Sequence, residues 1–226
     1  ETMYLTGAIL YLDANNTTSY SGSGTTWYDV QGLSSAMGSN MAFTATDPKY
    51  FSYNGTTSYH NLTLTNTAGA WAHSVSFWMQ LNIAQASISD EADVFQIGNS
   101  VAQSAWSAMA LKPSGTHLWF FFDNDTTFTY TFVQNTWYHI GLTYNGGAAN
   151  STNKQLYING VNVALTGTST SPLNIAANAL MGIGRDRLRN LSYFPGKIGE
   201  FIVHNGALTS AQVTQNFTAK RSYYGV

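Results

Sequence analysis

Runs of alternating or wholly apolar residues, each closed by Gly, Asn or Ser, recur about every 8 to 15 residues along this chain. That rhythm suits the short strands of an all-β sandwich and does not match the strand–helix alternation of a parallel α/β fold. The last third displays it most plainly, in Trp137–Tyr144, Lys154–Val163 and Gly196–His204. Earlier strands are expected at Ala8–Asp13, Tyr50–Tyr53, Ser58–Leu64, Ser74–Leu81, Ala108–Lys112 and His117–Phe122. Thr127–Phe132 alternates strictly, so Phe128, Tyr130 and Phe132 should share one face. Asn54-Gly55 and Asn159-Gly160 each predict a tight hairpin, because Asn and Gly tolerate the positive φ such turns require.

One helix is expected near the C-terminus. Thr209 can cap it, Gln212 completes a capping box, and Leu208 with Val213 stands at hydrophobic-staple spacing. Val213 and Phe217 would then face the sheet. There is no repeat, linker or charge run, and residues 1–226 read as one domain, complete or cut from a longer protein. The chain opens at Glu1 with no initiator Met or signal peptide, which fits a processed product or an excised domain.

Composition narrows the partners. Charged residues are 9% of the chain, against roughly a quarter in an average soluble domain, so solubility rests on Ser, Thr, Asn and Gln. A net charge of −2 with few clustered cations argues against nucleic acid. No apolar run approaches the roughly 18 residues of a membrane span. The absence of cysteine excludes only a disulfide scaffold.

In order, Leu10–Ala14, Trp27-Tyr-Asp29, Tyr53–Tyr59, Ser74–Trp78, Trp137-Tyr-His139, Leu156–Gly160, Ile183–Asp186 and Gly196–Glu200 resemble the laminin-G-like branch of the concanavalin A-like lectin/glucanase superfamily. The resemblance implies a jelly-roll sandwich of two antiparallel sheets, one of them concave, and a scaffold that mostly binds sugars or protein surfaces. The tail Arg221–Gly225 after the helix is similar to copies on phage and large-virus structural proteins. Where family members often carry acidic residues this chain has Thr57 and Ser58, which removes carboxylates that a calcium site there would use.

The superfamily includes retaining glycoside hydrolases, which need two carboxyl groups about 5 to 5.5 Å apart. The nearest match to their Glu-x-Asp-x-(x)-Glu strand is Glu91-Ala-Asp-Val-Phe-Gln96. Glu91 and Asp93 should share a face, but the acid/base position holds Gln96, and an amide can neither protonate a leaving group nor activate water. There is no Gly-x-Ser-x-Gly elbow, no phosphate-binding glycine loop and no cysteine nucleophile. His60, His73, His117, His139 and His204 are scattered, without zinc-helix spacing.

Binding residues are sought among aromatics in loops, since an aromatic in a strand is commonly core. Tyr20, Trp106, Tyr193 and Phe194 fall in loops or strand ends, and Arg185 and Asp186 open a segment, Arg185–Phe194, that is the first choice for a recognition loop. Asp123, Asn124 and Asp125 offer oxygen donors at a strand end, either to a glycan or to calcium, the one cofactor left open. Eight glycosylation sequons begin at Asn15, Asn16, Asn54, Asn61, Asn124, Asn150, Asn190 and Asn216. The expectation is a non-catalytic, lectin-like module on an extracellular or virion surface that binds a glycan or host-cell polysaccharide. The alternative is a capsid or spike decoration domain contacting other proteins, and the minor alternative is a glycoside hydrolase.

Overall fold

The computed structural model describes residues 2–120 and 125–226. In chain order the strands are β1 (Ala8–Asp13), β2 (Thr26–Tyr28), β3 (Ser35–Ser39), β4 (Ala42–Thr44), β5 (Tyr50–Asn54), β6 (Tyr59–Thr63), β7 (His73–Leu81), β8 (Ala92–Gly98) and β9 (Trp106–Leu111). They continue as β10 (Thr116–Phe120), β11 (Thr126–Thr129), β12 (Trp137–Tyr144), β13 (Ala148–Asn150), β14 (Lys154–Ile158), β15 (Val161–Val163), β16 (Thr168–Pro172), β17 (Leu180–Ile183) and β18 (Pro195–Asn205). One helix, α1 (Ser210–Lys220), closes the chain.

Two antiparallel sheets carry the fold. The back sheet runs β15-β14-β12-β7-β18-β5-β4, with β1 also pairing along β18. The front sheet runs β11-β10-β9-β8-β17-β6-β3-β2. Between them lies the core, where Phe77 of β7 stacks on Phe201 of β18 (centroids 5.2 Å, 5° apart) and Phe95 of β8 meets both edge-on. Two apolar inner faces buried against each other are what a sandwich of this kind requires.

The jelly-roll sandwich expected from the sequence is the fold found. The Asn159-Gly160 turn joins β14 to β15 with φ of 50° and 77° and the pairing Ile158↔Val161. The other hairpin expectation is corrected. β5 pairs with β4 and β18, whereas β6 pairs with β3 and β17, so Asn54-Gly55 carries the chain from one sheet to the other. Asn54 Oδ1 accepts from the backbone N–H of Thr56, Thr57 and Ser58, which bends the chain without any cross-strand partner. A shorter correction applies at β11, which ends at Thr129. Phe128 and Phe132 are buried, while Tyr130 is only half-buried.

The outer face of the back sheet is covered. The helix has the anticipated capping box, Gln212 N–H donating to Thr209 Oγ1 and Thr209 N–H to Gln212 Oε1. Val213 sits over Gly141, where an added Cβ would come within 2.5 Å of its Cγ1. Phe217 and Tyr224 stack on Trp78. Lys220 reaches Asp13 (3.1 Å) and Glu200 (3.7 Å) beneath it, and Tyr4 of the N-terminal segment donates its N–H to Asn216. With that side closed, the outer face of the front sheet is the broad strand surface left to meet a ligand. No helix among the described residues is long and apolar enough to cross a membrane.

Candidate functional site

Along β6 the side chains alternate. His60 and Leu62 point inward and are buried, while Tyr59, Asn61 and Thr63 point out. Register extends that outer row across the sheet, with Thr26 opposite Met37, Met37 opposite Asn61, and Asn61 opposite Gly182. Tyr28 and Met37 are 51% and 53% exposed, unusual for large apolar side chains on strands. This end of the front sheet is an open floor of aromatic, thioether, amide and hydroxyl groups.

The segment 184–194 forms the wall beside it. Gly184 takes φ +81°, and a Cβ there would lie 2.2 Å from the Tyr53 ring, so the turn accepts no side chain. The segment doubles back on itself through Asp186 N–H to Leu191 O (3.0 Å) and Phe194 N–H to Gly184 O (2.9 Å). Asp93 N–H donates to Ser192 O (2.7 Å), which ties the loop to β8. Gly182 leaves space for Arg187 above it, because a Cβ would meet the Arg187 Cβ at 2.8 Å.

On the β6 side the loop presents Arg185 and Arg187. The Arg185 guanidinium lies 3.4 Å from the Tyr59 ring centroid and donates to Asn61 Oδ1 (3.2 Å), Tyr193 OH (3.5 Å) and Asn190 Oδ1. Such a cation over an aromatic face adds electrostatic attraction to packing. Tyr193 in turn donates to Asn190 (2.9 Å). Arg187 donates to the carbonyls of Leu62 (2.6 Å) and Met181 (3.2 Å).

On the β8 side the loop seals the acidic residues. A register shift between Asp93 and Phe95 puts Asp93 opposite Ala110 and Gln96 opposite Ala108, on the outer face. Leu188 packs on Trp106, Ala108 and Ala110, and Arg189 lies 5.0 Å from the Trp106 ring. Arg189 also contacts Asp186 and Glu91, while Lys112 holds Glu91 at 2.9 Å and Asp90 at 3.4 Å. Asp93 and Gln96 have no solvent exposure. Burial, followed by the charges of Glu91 and Asp186, pushes the Asp93 carboxyl well above the usual range, against the pull of Arg189. A cleft of about 230 Å³ opens next to this group, lined in part by Asn54, Ser87, Ser89, Glu91 and Tyr193.

The sequence-chosen residues divide accordingly. Arg185 and Tyr193 come together with Tyr59, Asn61 and Asn190. Asp186 is buried, its carboxylate taken by the N–H groups of Leu188 and Arg189 and by the Arg189 side chain. Trp106 is the buried first residue of β9, under Leu188 and Arg189. Tyr20 belongs to the main core, against Phe43 and Phe51. A place in a loop or at a strand end does not expose either ring, because each packs into an apolar cluster. Asp125 is exposed at the β11 edge of the front sheet, opposite the β2 edge, and its charge acts on Lys154. Asp123 and Asn124 lie outside the described residues. Among the described residues no group of three or more His, Cys, Asp or Glu could hold a metal ion. Sequence reasoning passed over Tyr28, Met37, Tyr59 and Asn61. The two-residue spacing of Tyr59, Asn61 and Thr63 along a strand was the available signal.

Residues 54–214 match a laminin-G sequence model of the concanavalin A-like lectin/glucanases superfamily. No curated protein sequence matches the chain. Among solved structures, Trypanosoma rangeli sialidase superposes with a TM-score of 0.69 at 11% identity, over 98% of this chain and 34% of that one. The chain thus spans about a third of the length of that sialidase. Domain 4 of AbnA, a GH43 extracellular arabinanase from Geobacillus stearothermophilus solved with arabinotriose, superposes with a TM-score of 0.62 at 18% identity, over 92% of this chain and 97% of that one. At these identities the likeness is one of fold.

Proposed function

The chain belongs to the concanavalin A-like lectin/glucanases superfamily, and on that premise we propose that it is a non-catalytic, lectin-like module that binds a glycan through the outer face of β2, β3 and β6 and the loop 185–193. The observation that carries this reading is the composition of that face. Tyr28 and Met37 give flat apolar area for the C–H side of a sugar ring, while Asn61, Asn190 and Arg187 stand ready for hydroxyl groups. The arabinanase domain solved with arabinotriose, which covers nearly the same length of chain, supports a carbohydrate ligand. The polar, weakly charged surface fits an extracellular or virion setting, with attachment to a host or cell-surface polysaccharide as the role.

The non-catalytic part rests on the acidic strand. Hydrolysis needs an accessible acid and a second accessible carboxylate, whereas Asp93 is sealed under the loop and Gln96 supplies only an amide. The protein-contact alternative, a capsid or spike decoration domain, finds support in the exposed Leu33, Met37 and Tyr28 near one sheet edge.

The test is a broad glycan and polysaccharide panel with the intact chain, run with calcium and with chelator, beside the variant Tyr28→Ala. Saturable, selective binding weakened about 10-fold or more by Tyr28→Ala supports the reading. A blank panel together with self-association through this face would replace it with the protein-contact role.

A further inference from the structure

We propose that the ligand of this face is anionic, a glycan whose carboxylate or sulfate group seats against Arg187 and Arg185 where they meet β6. The inference rests on the glycan reading and adds to it the charge of the ligand.

The loop divides its charges unevenly. Every carboxylate it touches lies on the β8 side, where Arg189 contacts Asp186 and Glu91, and Lys112 takes up Glu91 and Asp90. On the β6 side, no carboxylate among the described residues forms an ion pair with Arg185 or Arg187. Their acceptors are all neutral: the amides of Asn61 and Asn190, the Tyr193 hydroxyl, and the carbonyls of Leu62 and Met181. Arg185 is only 7% exposed, yet its buried Nε has no acceptor among the described residues. A guanidinium taken out of water normally finds a counter-charge, because the desolvation is otherwise uncompensated.

The two cations also bear on each other. They reach neighbouring positions of the same strand, Arg185 to Asn61 and Arg187 to Leu62. Burial and then the charge of Arg185 push the Arg187 guanidinium below its ordinary range. An anion placed between them removes that repulsion. Arg187 is half-buried and uses Nη1 for the two carbonyls, so the other edge of its fork is free to meet a carboxylate or sulfate in the two-bond geometry that guanidinium favours. A sugar ring carrying that group would extend over Asn61 toward Met37 and Tyr28 along the register row.

The deciding experiment titrates the intact chain with sialylated, uronate-containing and sulfated oligosaccharides beside their desialylated, methyl-esterified and desulfated counterparts. Each is measured at low and at moderate salt. The proposal expects binding confined to acidic members and weakened about 10-fold as salt rises. It expects a loss of about 10-fold or more in Arg187→Gln, and only part of that loss restored in Arg187→Lys, which keeps the charge but not the two-bond fork. Because Arg187→Lys keeps the charge and changes the packing, the pair separates an anion site from a merely structural arginine. Equal binding of the neutral counterparts, with Arg187→Gln indifferent, overturns the anionic inference and leaves the glycan reading standing. Binding to no member overturns the glycan reading, and the anion site with it.

Discussion

Acidification from pH 7 to pH 5 should weaken this domain through its buried histidines, and the variant His139→Gln isolates one of them. His60 packs against Trp27 and Phe51, His73 stacks on Trp71, and His139 lies against Trp78 and Phe217. None forms an ion pair among the described residues. Burial pushes His60 and His139 down to about 3 and His73 down to about 4. In the unfolded chain each takes up a proton near pH 6.5. Between those values the unfolded state binds more protons, so stability falls as pH falls. At pH 5 the loss is about 2 kcal/mol per histidine and about 6 kcal/mol for the three, a large share of the roughly 5–15 kcal/mol typical of a domain.

Glu200 works in the opposite sense. Burial, and then the charge of Asp13, raise it to about 8, so its contribution is lost as pH rises and regained on acidification. Over the same interval that gain offsets about 2.5 kcal/mol of the histidine loss. Urea unfolding followed by tryptophan fluorescence at pH 7, 6 and 5 measures it. His139→Gln should lose about 2 kcal/mol less than wild type over that range. A gap between the two proteins that stays constant with pH would refute the claim that His139 is held neutral by burial.

Three further outcomes follow from the same physics. Asp93→Asn should stabilise the fold, and more so at pH 8 than at pH 5, since the raised carboxyl of Asp93 loses its contribution as pH rises while an amide does not; thermal melts at both pH values will show whether that gap widens. Gly184→Ala forces a Cβ against Tyr53 at positive φ, so it should cost about 1–3 kcal/mol and loosen the 185–193 loop, read as a lower melting temperature and faster amide exchange at Asp186 and Leu191. Thr209→Ala removes the capping box and should cost about 1 kcal/mol in urea unfolding, with the helix remaining docked by Val213 and Phe217.

The sandwich was legible because its strands alternate and its turns are short. Even so, one dipeptide type behaved in two ways. Asn159-Gly160 closes a hairpin because Val161–Val163 has no stronger partner than β14. Asn54-Gly55 does not, because β18 claims β5 for the back sheet while β17 and β3 claim β6 for the front. Local turn chemistry sets what a turn permits, and long-range pairing decides which sheet each arm joins.

The candidate site was half legible. Arg185 and Tyr193 stood out as loop residues beside a strand end, and the loop does wall the open face. Tyr59 and Asn61 were hidden by their place in a strand, since pattern alone does not say whether an outer row meets water or another layer. The difference lies in what covers each face: α1 lies over the back sheet and the 185–193 loop over β8 and β9, which leaves the β2, β3 and β6 end of the front sheet open. Tyr20 and Trp106 misled for the converse reason. Their neighbours in sequence are polar, while their neighbours in space are Phe51 and Phe43 for one and Leu188 with Arg189 for the other. Glu91 and Asp93 do share a face, as the two-residue spacing requires, yet the loop that seals Asp93 comes from about a hundred residues further along the chain.

The central claim is that ligand meets the outer face of β2, β3 and β6 beside the 185–193 loop. Amide and side-chain NMR shift mapping with any saturating oligosaccharide from the panel tests it most directly. The account predicts perturbations clustered at Tyr28, Met37, Tyr59, Asn61, Arg187 and Tyr193, with α1 unmoved. Shifts concentrated instead at Ser210, Thr214 and Gln215 on the helix, or at Asn99 and Asn174 at the far end of β8, would contradict it.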